Sequence, residues 1–411
     1  MTNPSPPIRV GRPDDFDDLA RMIEITFHTT LGEETREAER GIWEPHRSLL
    51  VRDDGAELVA HVSAFTRELT VPGATLPAAH VTMVGVLPTH RRRGLLTRLV
   101  RRQLRDIRDA GREPVAVLWA SEGRIYPRFG YGLAAQELSV ECSTTELRLP
   151  APAAAEGRLR LDRPVAQQAD LARLYDRLRA DRPGWSDRDD RWWRYVLTDP
   201  ADERAGATER RVMLHEGPDG EVDGYALWRS RRDSDAAGPR GVTIVEEMVA
   251  ANPAARLALW RLLLSLDLTR RLSYRGPVDD PLLRLVDEPR RLVARLSDAL
   301  WVRVVDVPTA LAARRYAADV DVVVEVTDEL LPENSGRWRL TGGPDDARCG
   351  PTDRPADLAC DVRELGELYL GGTGLATLAD AGRIHERRPG ALAAAGPAFA
   401  WHRAPAGMGI F

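Results

Sequence analysis

The stretch VTMVGVLPTHRRRGLLTRLV, Val81–Val100, decides how the rest of the sequence is interpreted. An apolar run typical of a strand ends at Pro88, and the apolar spacing from Leu95 onward predicts a helix. Three arginines, Arg91–Arg93, fall where that helix begins. The positive end of the helix dipole disfavours cations there by roughly 0.3–1 kcal/mol each. Either the arginines only point into water, or a polyanion binds at the helix start.

A strand followed by a glycine-containing turn and a helix start offers a row of free backbone N–H groups. Gly94 permits close approach of the backbone, and arginines add charge-assisted contacts. A pyrophosphate fits better than a single phosphate, because several donors and several cations are offered together. A solvent-exposed arginine face and a nucleic-acid patch are the alternatives. Against the patch, Asp106 and Asp109 interrupt the basic helix, and no aromatic residues interleave for base stacking.

Composition and motif absences narrow the class of protein. The length of 411 residues suggests two to four domains, and a net charge of −5 gives no overall basic field for nucleic acid. The sequence contains neither the P-loop motif nor the G-x-G-x-x-G dinucleotide fingerprint. Three widely separated cysteines, Cys142, Cys349 and Cys360, favour a reducing compartment. With no signal-peptide pattern and no apolar run of membrane length, we expect a cytoplasmic protein.

The order of predicted elements indicates repeated organisation. The first third alternates strands and helices and contains an Asp-Gly hairpin turn at Asp54–Gly55. A Pro/Ala stretch, Pro150–Gly157, predicts a boundary. The order strand, helix, hairpin, strand, helix then repeats, but the second junction, MVAANPAARLALW, lacks the arginines and the glycine. The last part, with DVDVVVEV, GRWRLT, LACDVR and two helical runs, predicts a smaller α+β domain.

The segment VGVLPTHRRRGLL resembles the acetyl-CoA signature of the GNAT acyltransferases, in which a strand leads into a Q/R-x-x-G-x-G/A turn. Together with ASEGRIYPRFGYG, it is similar to the enhanced-intracellular-survival (Eis) N-acetyltransferases of actinobacteria; the third glycine-type position of the turn is Leu96, as in that subfamily. The resemblance covers the whole chain and implies a mixed α/β (α+β) fold of three domains. These are an active GNAT domain at 1–149, a degenerate GNAT domain at 150–302, and a sterol-carrier-like domain at 303–411.

The resemblance implies acetyl-CoA as co-substrate and no metal. The backbone of Val84, Gly85 and Val86 would pair with the pantetheine arm as if it were an added strand. Ser121 and Glu122, at the end of the next strand, would face the reactive end of the cofactor. Donors of the turn and the helix start would hold the pyrophosphate, namely those of Arg92, Arg93, Gly94, Leu95, Leu96 and Thr97.

Acetyl transfer from a thioester to an amine needs a neutral amine, a donor for the oxyanion and a proton for the leaving thiolate. The resemblance implies direct transfer, with Tyr126 as general acid and the terminal carboxylate of Phe411 as base. The alternatives are a buried structural tyrosine and an ordinary frayed chain end. A free α-carboxylate has a pKa of roughly 3.3–3.7, so it would act best through a water or by orienting the amine, unless burial raises its pKa.

An amine substrate is cationic before it reacts, so an acidic pocket is expected. The candidates are Phe27, Glu33 and Glu34 in TFHTTLGEET, Met83 on the cofactor strand, and Trp193, for which a place in the core is an equal alternative. The predicted function is acetyl-CoA-dependent N-acetylation of aminoglycoside-like or polyamine substrates. The resemblance, and not the residue spacing, implies a homohexamer, a trimer of dimers. A non-catalytic acyl-CoA or lipid-binding protein and a DNA-binding regulator are the alternatives; neither a nucleic-acid nor a membrane partner is expected.

Overall fold

The structure is a computed structural model that describes residues 6–150, 157–409 and 411. Contacts between residues divide the chain into two compact units. The first unit contains Met1–Ala135, Asp181–Asp187 and Asp298–Phe411, and the second contains Gln136–Ala180 and Arg188–Ser297. The boundaries of the three domains predicted from the sequence stay a prediction. The two units do not test these boundaries, because each unit is built from more than one stretch of the chain. Most of the predicted linker at 150–157 lies outside the described residues.

The N-terminal part consists of strands and helices in the alternating order that the sequence predicts. Its helices are α1 (Phe16–Phe27), α2 (Glu33–Ile42) and α3 (Leu95–Ala110). Its strands are β1 (Ile8–Val10), β2 (Leu49–Arg52), β3 (Leu58–Val71), β4 (Ala74–Val86), β5 (Val115–Trp119) and β6 (Gly132–Ser143). Helix α3 ends at Gly111, whose φ of 63° is left-handed, as expected of a glycine at a helix end.

The first unit contains a sheet in which β1 to β5 are neighbours in chain order. The β2–β3 and β3–β4 pairs are antiparallel, whereas β4 and β5 are parallel. The apolar face of α3, including Leu95, Leu99 and Leu104, is buried in the core beside this sheet. Arg101, Arg102 and Arg105 occupy its exposed outer face. Arg98 and Arg108 are half-buried, and their guanidinium groups donate to the carbonyls of Pro6 and Val305.

Strands β4 and β5 separate partway along their length. They pair only through Ala78–His80 and Val115–Val117 in the described residues. Beyond that point β4 contains a bulge, because three steps from Thr82 to Gly85 lie opposite two steps on β3. Met83, inside the bulge, has a φ of 50°. We call the resulting opening between β4 and β5 the fork.

The second unit is built mainly from the middle of the chain. Its helices are α4 (Gln168–Arg179), α5 (Asp190–Leu197), α6 (Pro253–Leu264) and α7 (Leu282–Leu285). Its strands are β7 (Arg158–Asp162), β8 (Arg211–Glu216), β9 (Val222–Arg231), β10 (Ser234–Asp235), β11 (Gly238–Pro239), β12 (Gly241–Ala250) and β13 (Thr269–Pro277). The strand order is β6-β13-β12-β9-β8-β7, and β12 and β13 are parallel.

The remaining elements complete the first unit. The strands are β14 (Arg295–Val304), β15 (Val320–Thr327), β16 (Gly336–Gly342), β17 (Ala347–Pro351), β18 (Leu358–Asp361) and β19 (Ile384–Glu386). The helices are α8 (Val307–Ala313), α9 (Val362–Leu368), α10 (Leu375–Asp380) and α11 (Ala391–Phe399). The last five strands form a sheet of order β17-β16-β15-β18-β19. This is the smaller α+β part that the sequence predicts.

Strand β14 pairs with a strand that the sequence analysis did not anticipate. Residues up to 302 were expected to belong with the second repeat, but β14 lies antiparallel to β5, with Leu300 opposite Trp119 and Val304 opposite Val115. Its alternate residues, including Val302, are buried in the same cluster as Val117. Because they share that apolar core with β5, the end of the second repeat supplies a strand to the first unit.

Candidate active site

The turn between β4 and α3 is shaped by two residues with positive φ. Arg92 has a φ of 63° and Gly94 a φ of 75°. In the described residues no side chain caps the start of α3, and the first helical bond runs from the Arg98 N–H to the Gly94 carbonyl at 3.1 Å. The N–H groups of Leu95 and the next two residues are therefore free to donate to an anion.

A cavity of about 530 Å³ lies between this helix start, β4 and the segment after β5. It contains most of the residues that the sequence singled out for cofactor binding. Its lining residues are Thr26, Phe27, Val84, Gly85, Val86, His90, Arg91, Arg92, Gly94, Leu95, Leu96, Thr97, Ser121, Glu122, Ile125, Tyr126 and Arg128.

The three arginines of the turn do not occupy equivalent positions. Arg91 and Arg92 line the cavity, whereas Arg93 does not. The Arg93 guanidinium donates to the Thr89 carbonyl at 3.0 Å instead. Sequence reasoning paired Arg92 with Arg93 and left Arg91 out of the site, because an unbroken run of arginines gives no signal of which side chains share a face. It also missed Arg128, two residues after Tyr126.

The wall formed by β4 exposes backbone as well as side chains. Val84, Gly85 and Val86 line the cavity on the edge that β5 leaves unpaired at the fork. The bulge is held from behind, since His61 Nδ1 lies 2.8 Å from the Met83 carbonyl and must donate to it. Burial lowers the pKa of His61 to about 4, so this ring is neutral. The free edge of β4 can therefore accept an extended chain as an added strand.

Tyr126 reaches the cavity from a tight turn. It precedes the 3-10 turn Pro127–Phe129, which ends at Gly130 with a φ of 81°. The Tyr126 side chain is buried, with 7% of its surface exposed. Burial, together with the Glu122 carboxylate, raises the pKa of this phenol to about 12. Tyr126 is therefore a protonated phenol in the cavity wall and can act as a proton donor.

The residues predicted to contact the amine are only partly brought together. Phe27, at the end of α1, is 41% exposed and lines the cavity. Glu33 and Glu34 are the exposed first residues of α2, and they do not line the cavity. Met83 is half-buried in the bulge and does not line it either.

Trp193 belongs to the core of the second unit. It is 1% exposed, its ring meets that of Tyr175 edge-on at 5.7 Å, and the Arg188 guanidinium lies 4.9 Å from its ring. Arg188 in turn donates twice to the Glu247 carboxylate, at 3.0 and 2.7 Å. These surroundings match the alternative left open by the sequence, a core aromatic, and give the predicted contact with substrate no support.

The Phe411 side chain contacts a strand of the first unit. The Phe411 ring packs on the ring of His80, with centroids 4.7 Å apart at an angle of 61°. His80 is the last residue of β4 that pairs with β5, so the chain end lies where the fork begins. Phe411 is not among the residues lining the cavity.

At the corresponding helix start in the second unit, a side chain of the protein already accepts a hydrogen bond from a backbone N–H group. The Asn252 side chain accepts from the Ala255 N–H at 2.9 Å and so caps α6. The junction VAANPAAR contains no glycine, and no arginine comes before the helix begins at Pro253. Its one arginine, Arg256, lies within the helix. The geometry therefore supports a repeat that has lost the anion cradle.

Comparison with known proteins defines the class. Family models described as "Acetyltransferase (GNAT) domain" match residues 7–134 and 184–304, and one described as "Sterol carrier protein domain" matches residues 307–407. The protein is thus a GNAT-type N-acetyltransferase with two GNAT domains and a sterol-carrier-like domain, which confirms the predicted fold class. The GNAT fold implies use of an acyl-CoA and a small-molecule acceptor.

Full-length relatives identify the family. An uncharacterized N-acetyltransferase of Streptomyces avermitilis is 44% identical over 405 residues, covering 97% of this chain and 98% of the relative. The N-acetyltransferase Eis of Mycobacterium tuberculosis is 37% identical over 388 residues, covering 91% and 92%. The crystal structure of Eis1 from Mycobacterium abscessus superposes with a TM-score of 0.83 at 34% identity, covering 98% and 100%. The chain belongs to the Eis-like N-acetyltransferases, which confirms the resemblance.

Among the described residues, no helix combines the length and the apolar character needed to cross a bilayer. The same part of the chain contains no group of three or more histidine, cysteine or acidic side chains arranged to hold a metal ion.

Proposed function

We propose that this enzyme transfers an acetyl group from acetyl-CoA directly to an amine of an aminoglycoside-like or polyamine substrate, within a ternary complex. The observation that supports this most is the shared cavity of an uncapped helix start, two arginines and a protonated, buried Tyr126. A protein that only binds acyl-CoA needs the cradle for the diphosphate, but it has no use for a phenol kept protonated in the same wall.

The proposal gives each wall of the cavity a task. The N–H groups at the start of α3, with Arg91 and Arg92, bind the diphosphate, and the free edge of β4 orients the pantetheine arm. As the amine nitrogen bonds to the acetyl carbon and the carbon–sulfur bond breaks, Tyr126 donates its proton to the departing sulfur. The proton lost by the nitrogen passes to the Phe411 carboxylate through a water. The enzyme then carries a proton from which the Tyr126 phenolate can be converted back to the phenol.

The proposal also assigns residues to the end of the cavity where the amine substrate would bind. Phe27 provides an apolar rim, and the exposed carboxylates of Glu33 and Glu34 on α2 add negative charge that attracts a cationic amine. Assembly into a homohexamer, a trimer of dimers, and a reducing cellular compartment complete the proposal. The three cysteines are unpaired in the structure, which supports the second of these points.

Turnover with defined amines tests the substrate class. We expect release of free thiol when the enzyme is mixed with acetyl-CoA and either kanamycin or neomycin, and no release when the amine is omitted. Mass spectrometry of the product should show one or more acetyl groups added to the amine. Failure to turn over any member of an aminoglycoside and polyamine panel would overturn the substrate assignment.

The different positions of two neighbouring arginines give a sharper test of the cradle. We expect Arg92→Ala to weaken coenzyme A binding by roughly 10–100-fold, because a charge-assisted hydrogen bond to phosphate contributes about 1.5–3 kcal/mol. The weakening should shrink as the salt concentration rises. Isothermal titration calorimetry measures both.

Arg93→Ala is the matched control, since Arg93 carries the same charge one residue away but binds the Thr89 carbonyl. We expect it to change the affinity by less than about threefold, as for a screened surface charge. Equal losses in the two variants would mean that the arginines act only through overall charge. No loss in either would contradict the diphosphate cradle.

A further inference from the structure

The segment Asp181–Asp187 lies along an edge of β3 in the first unit. The Thr70 N–H donates to the Trp185 carbonyl at 2.8 Å, and the Gly184 N–H donates to the Thr70 carbonyl at 2.8 Å. The Asp187 N–H donates to the Glu68 carbonyl at 3.2 Å. This short extended piece is thereby fixed to the sheet that forms the fork.

The other side of this segment holds the C-terminal tail, which we define as residues 401–409 and 411. The Arg182 guanidinium donates to the Ala404 carbonyl at 2.8 Å. The Ala406 N–H donates to the Pro183 carbonyl at 2.9 Å. Two successive stretches of the tail are thus bound through their backbone, which fixes the path of the chain whatever its side chains are.

Two further contacts bring the tail close to the segment. Arg403 forms an ion pair with Asp181 at 2.8 Å. Gly184 has a φ of 93°, and a Cβ at this position would lie 2.5 Å from the Ala406 carbonyl oxygen. Only glycine therefore permits the observed approach of the two backbones.

The last residue of the tail packs on a buried histidine, and this histidine accepts a hydrogen bond from a serine. His80 Nδ1 lies 3.0 Å from the Ala78 carbonyl and must donate to it, so Nε2 accepts from the Ser186 hydroxyl at 2.6 Å. Burial and the neighbouring Arg67 cation keep the pKa of His80 well below its usual range. The ring is neutral and fixed from both nitrogens, and Phe411 packs against it.

The tail crosses the fork on its way to this histidine. A Cβ at Gly407 would lie 2.4 Å from the ring of Trp119, so the tail packs closely against the indole of the last residue of β5. It ends on His80, the last residue of β4 that pairs with β5. Ser121 and Glu122, which line the cavity, follow Trp119 by two and three residues.

We propose that Asp181–Asp187, together with the His80–Ser186 pair, is a clamp that sets the position of the terminal carboxylate at the fork. Arg182, Ser186 and His80 are positioning residues, which act through Phe411 and not on the substrate. This inference rests on the proposed function, in which that carboxylate is the base.

Ser186→Ala and Arg403→Ala test the clamp in the full-length enzyme. Arg339→Ala is the matched control, because the Arg339–Asp321 pair has the same 2.8 Å separation and closely similar exposure (44% and 47%, against 46% and 52% for Arg403–Asp181). We expect Ser186→Ala to speed hydrogen–deuterium exchange in the tail by roughly 3–10-fold, the effect of losing one buried hydrogen bond. Arg403→Ala should speed it by about twofold, because its ion pair is half-exposed, and the control should leave it unchanged.

Turnover with acetyl-CoA and kanamycin then shows whether docking serves catalysis. We expect Ser186→Ala to lower kcat by roughly 3–10-fold with the KM for acetyl-CoA unchanged. In a variant that lacks Phe411, the same substitution should cause no further loss, because positioning residues have nothing left to position.

The outcomes separate the clamp from the proposed function. Unchanged tail exchange in Ser186→Ala, or a loss of kcat that adds fully to the loss caused by removing Phe411, overturns the clamp and leaves the base assignment standing. If removing Phe411 leaves kcat unchanged, the base assignment falls, and with it the catalytic purpose of the clamp. Faster tail exchange in that case would show a docking device of structural purpose only.

Discussion

Replacing Tyr126 by phenylalanine is expected to lower kcat by roughly 10²–10⁴-fold, the contribution typical of a positioned general acid. The ring and its packing stay, and only the proton that would pass to the departing sulfur is lost. Binding of coenzyme A should change by less than about twofold, because the proposed diphosphate and pantetheine contacts lie on α3 and β4, whose residues line the cavity. Stopped-flow or steady-state thiol release gives kcat, and calorimetry gives the affinity.

Tyr131→Phe is a matched control for that substitution. Tyr131 is also buried, its ring meets that of Tyr126 at 5.8 Å, and its hydroxyl has no hydrogen-bond partner among the described residues. It does not line the cavity, so we expect kcat to remain within about twofold of the natural enzyme. If Tyr126→Phe also kept full activity, the phenol would be structural, and co-purification of a lipid would then favour the binding-protein alternative.

The raised pKa of Tyr126 predicts how the activity depends on pH. Its pKa is raised to about 12, so the acid form is populated throughout the neutral and moderately alkaline range. Activity should therefore not fall between pH 8 and roughly pH 10 because Tyr126 loses its proton. A fall in kcat in that range that disappears in Tyr126→Phe would contradict this assignment of the protonation state.

Glu247→Ala is expected to lower the free energy of unfolding of the second unit by about 3–5 kcal/mol, the usual cost of removing one partner of a buried ion pair. Arg188 is buried and donates twice to Glu247, and the Tyr225 hydroxyl donates to the same carboxylate at 2.5 Å. Without the carboxylate, a cation and a phenol are left buried without their acceptor. Urea denaturation followed by circular dichroism measures the loss.

Glu209→Ala provides the comparison. Glu209 pairs with Arg211 at 2.8 Å, but both side chains are 41% exposed, so we expect a change within about 0.5 kcal/mol. Similar destabilisation by the two substitutions would contradict the importance of burial at Glu247. The network also explains why Trp193, which packs on Arg188, has a place in the core.

Much of the fold could be predicted because local patterns were strong. The periodic leucines of α3 and the glycine after its last turn predict both of its ends, and the run Gly241–Ala250 is the strand β12. Helix α2 was missed because its sequence, EETREAERGI, has almost no apolar residues to mark a buried face. The pairing of β14 with β5 could not be predicted, since alternation identifies a strand but not its neighbour.

The residues of the candidate site also include some that the sequence could predict and some that it could not. The turn, the strand before it and Tyr126 were predicted from motifs, because each motif fixes a local backbone shape. Arg91 lines the cavity and Arg93 does not, and this could not be predicted, because the left-handed φ of Arg92 between them gives no signal in the sequence. The packing of Phe411 on His80 could not be predicted from the sequence, because the two residues are 331 positions apart.

The two helix starts of the tandem repeats have a consequence for the lifetime of the enzyme. Helix α6 carries a permanent cap, Asn252, whereas α3 has none of its own among the described side chains and awaits one from solution. By mass action, any molecule that binds only the folded form stabilises it in proportion to the logarithm of its concentration. The free energy of unfolding of the first repeat should therefore rise with the concentration of its acyl-CoA co-substrate, whereas the cap of α6 acts at any concentration of that co-substrate.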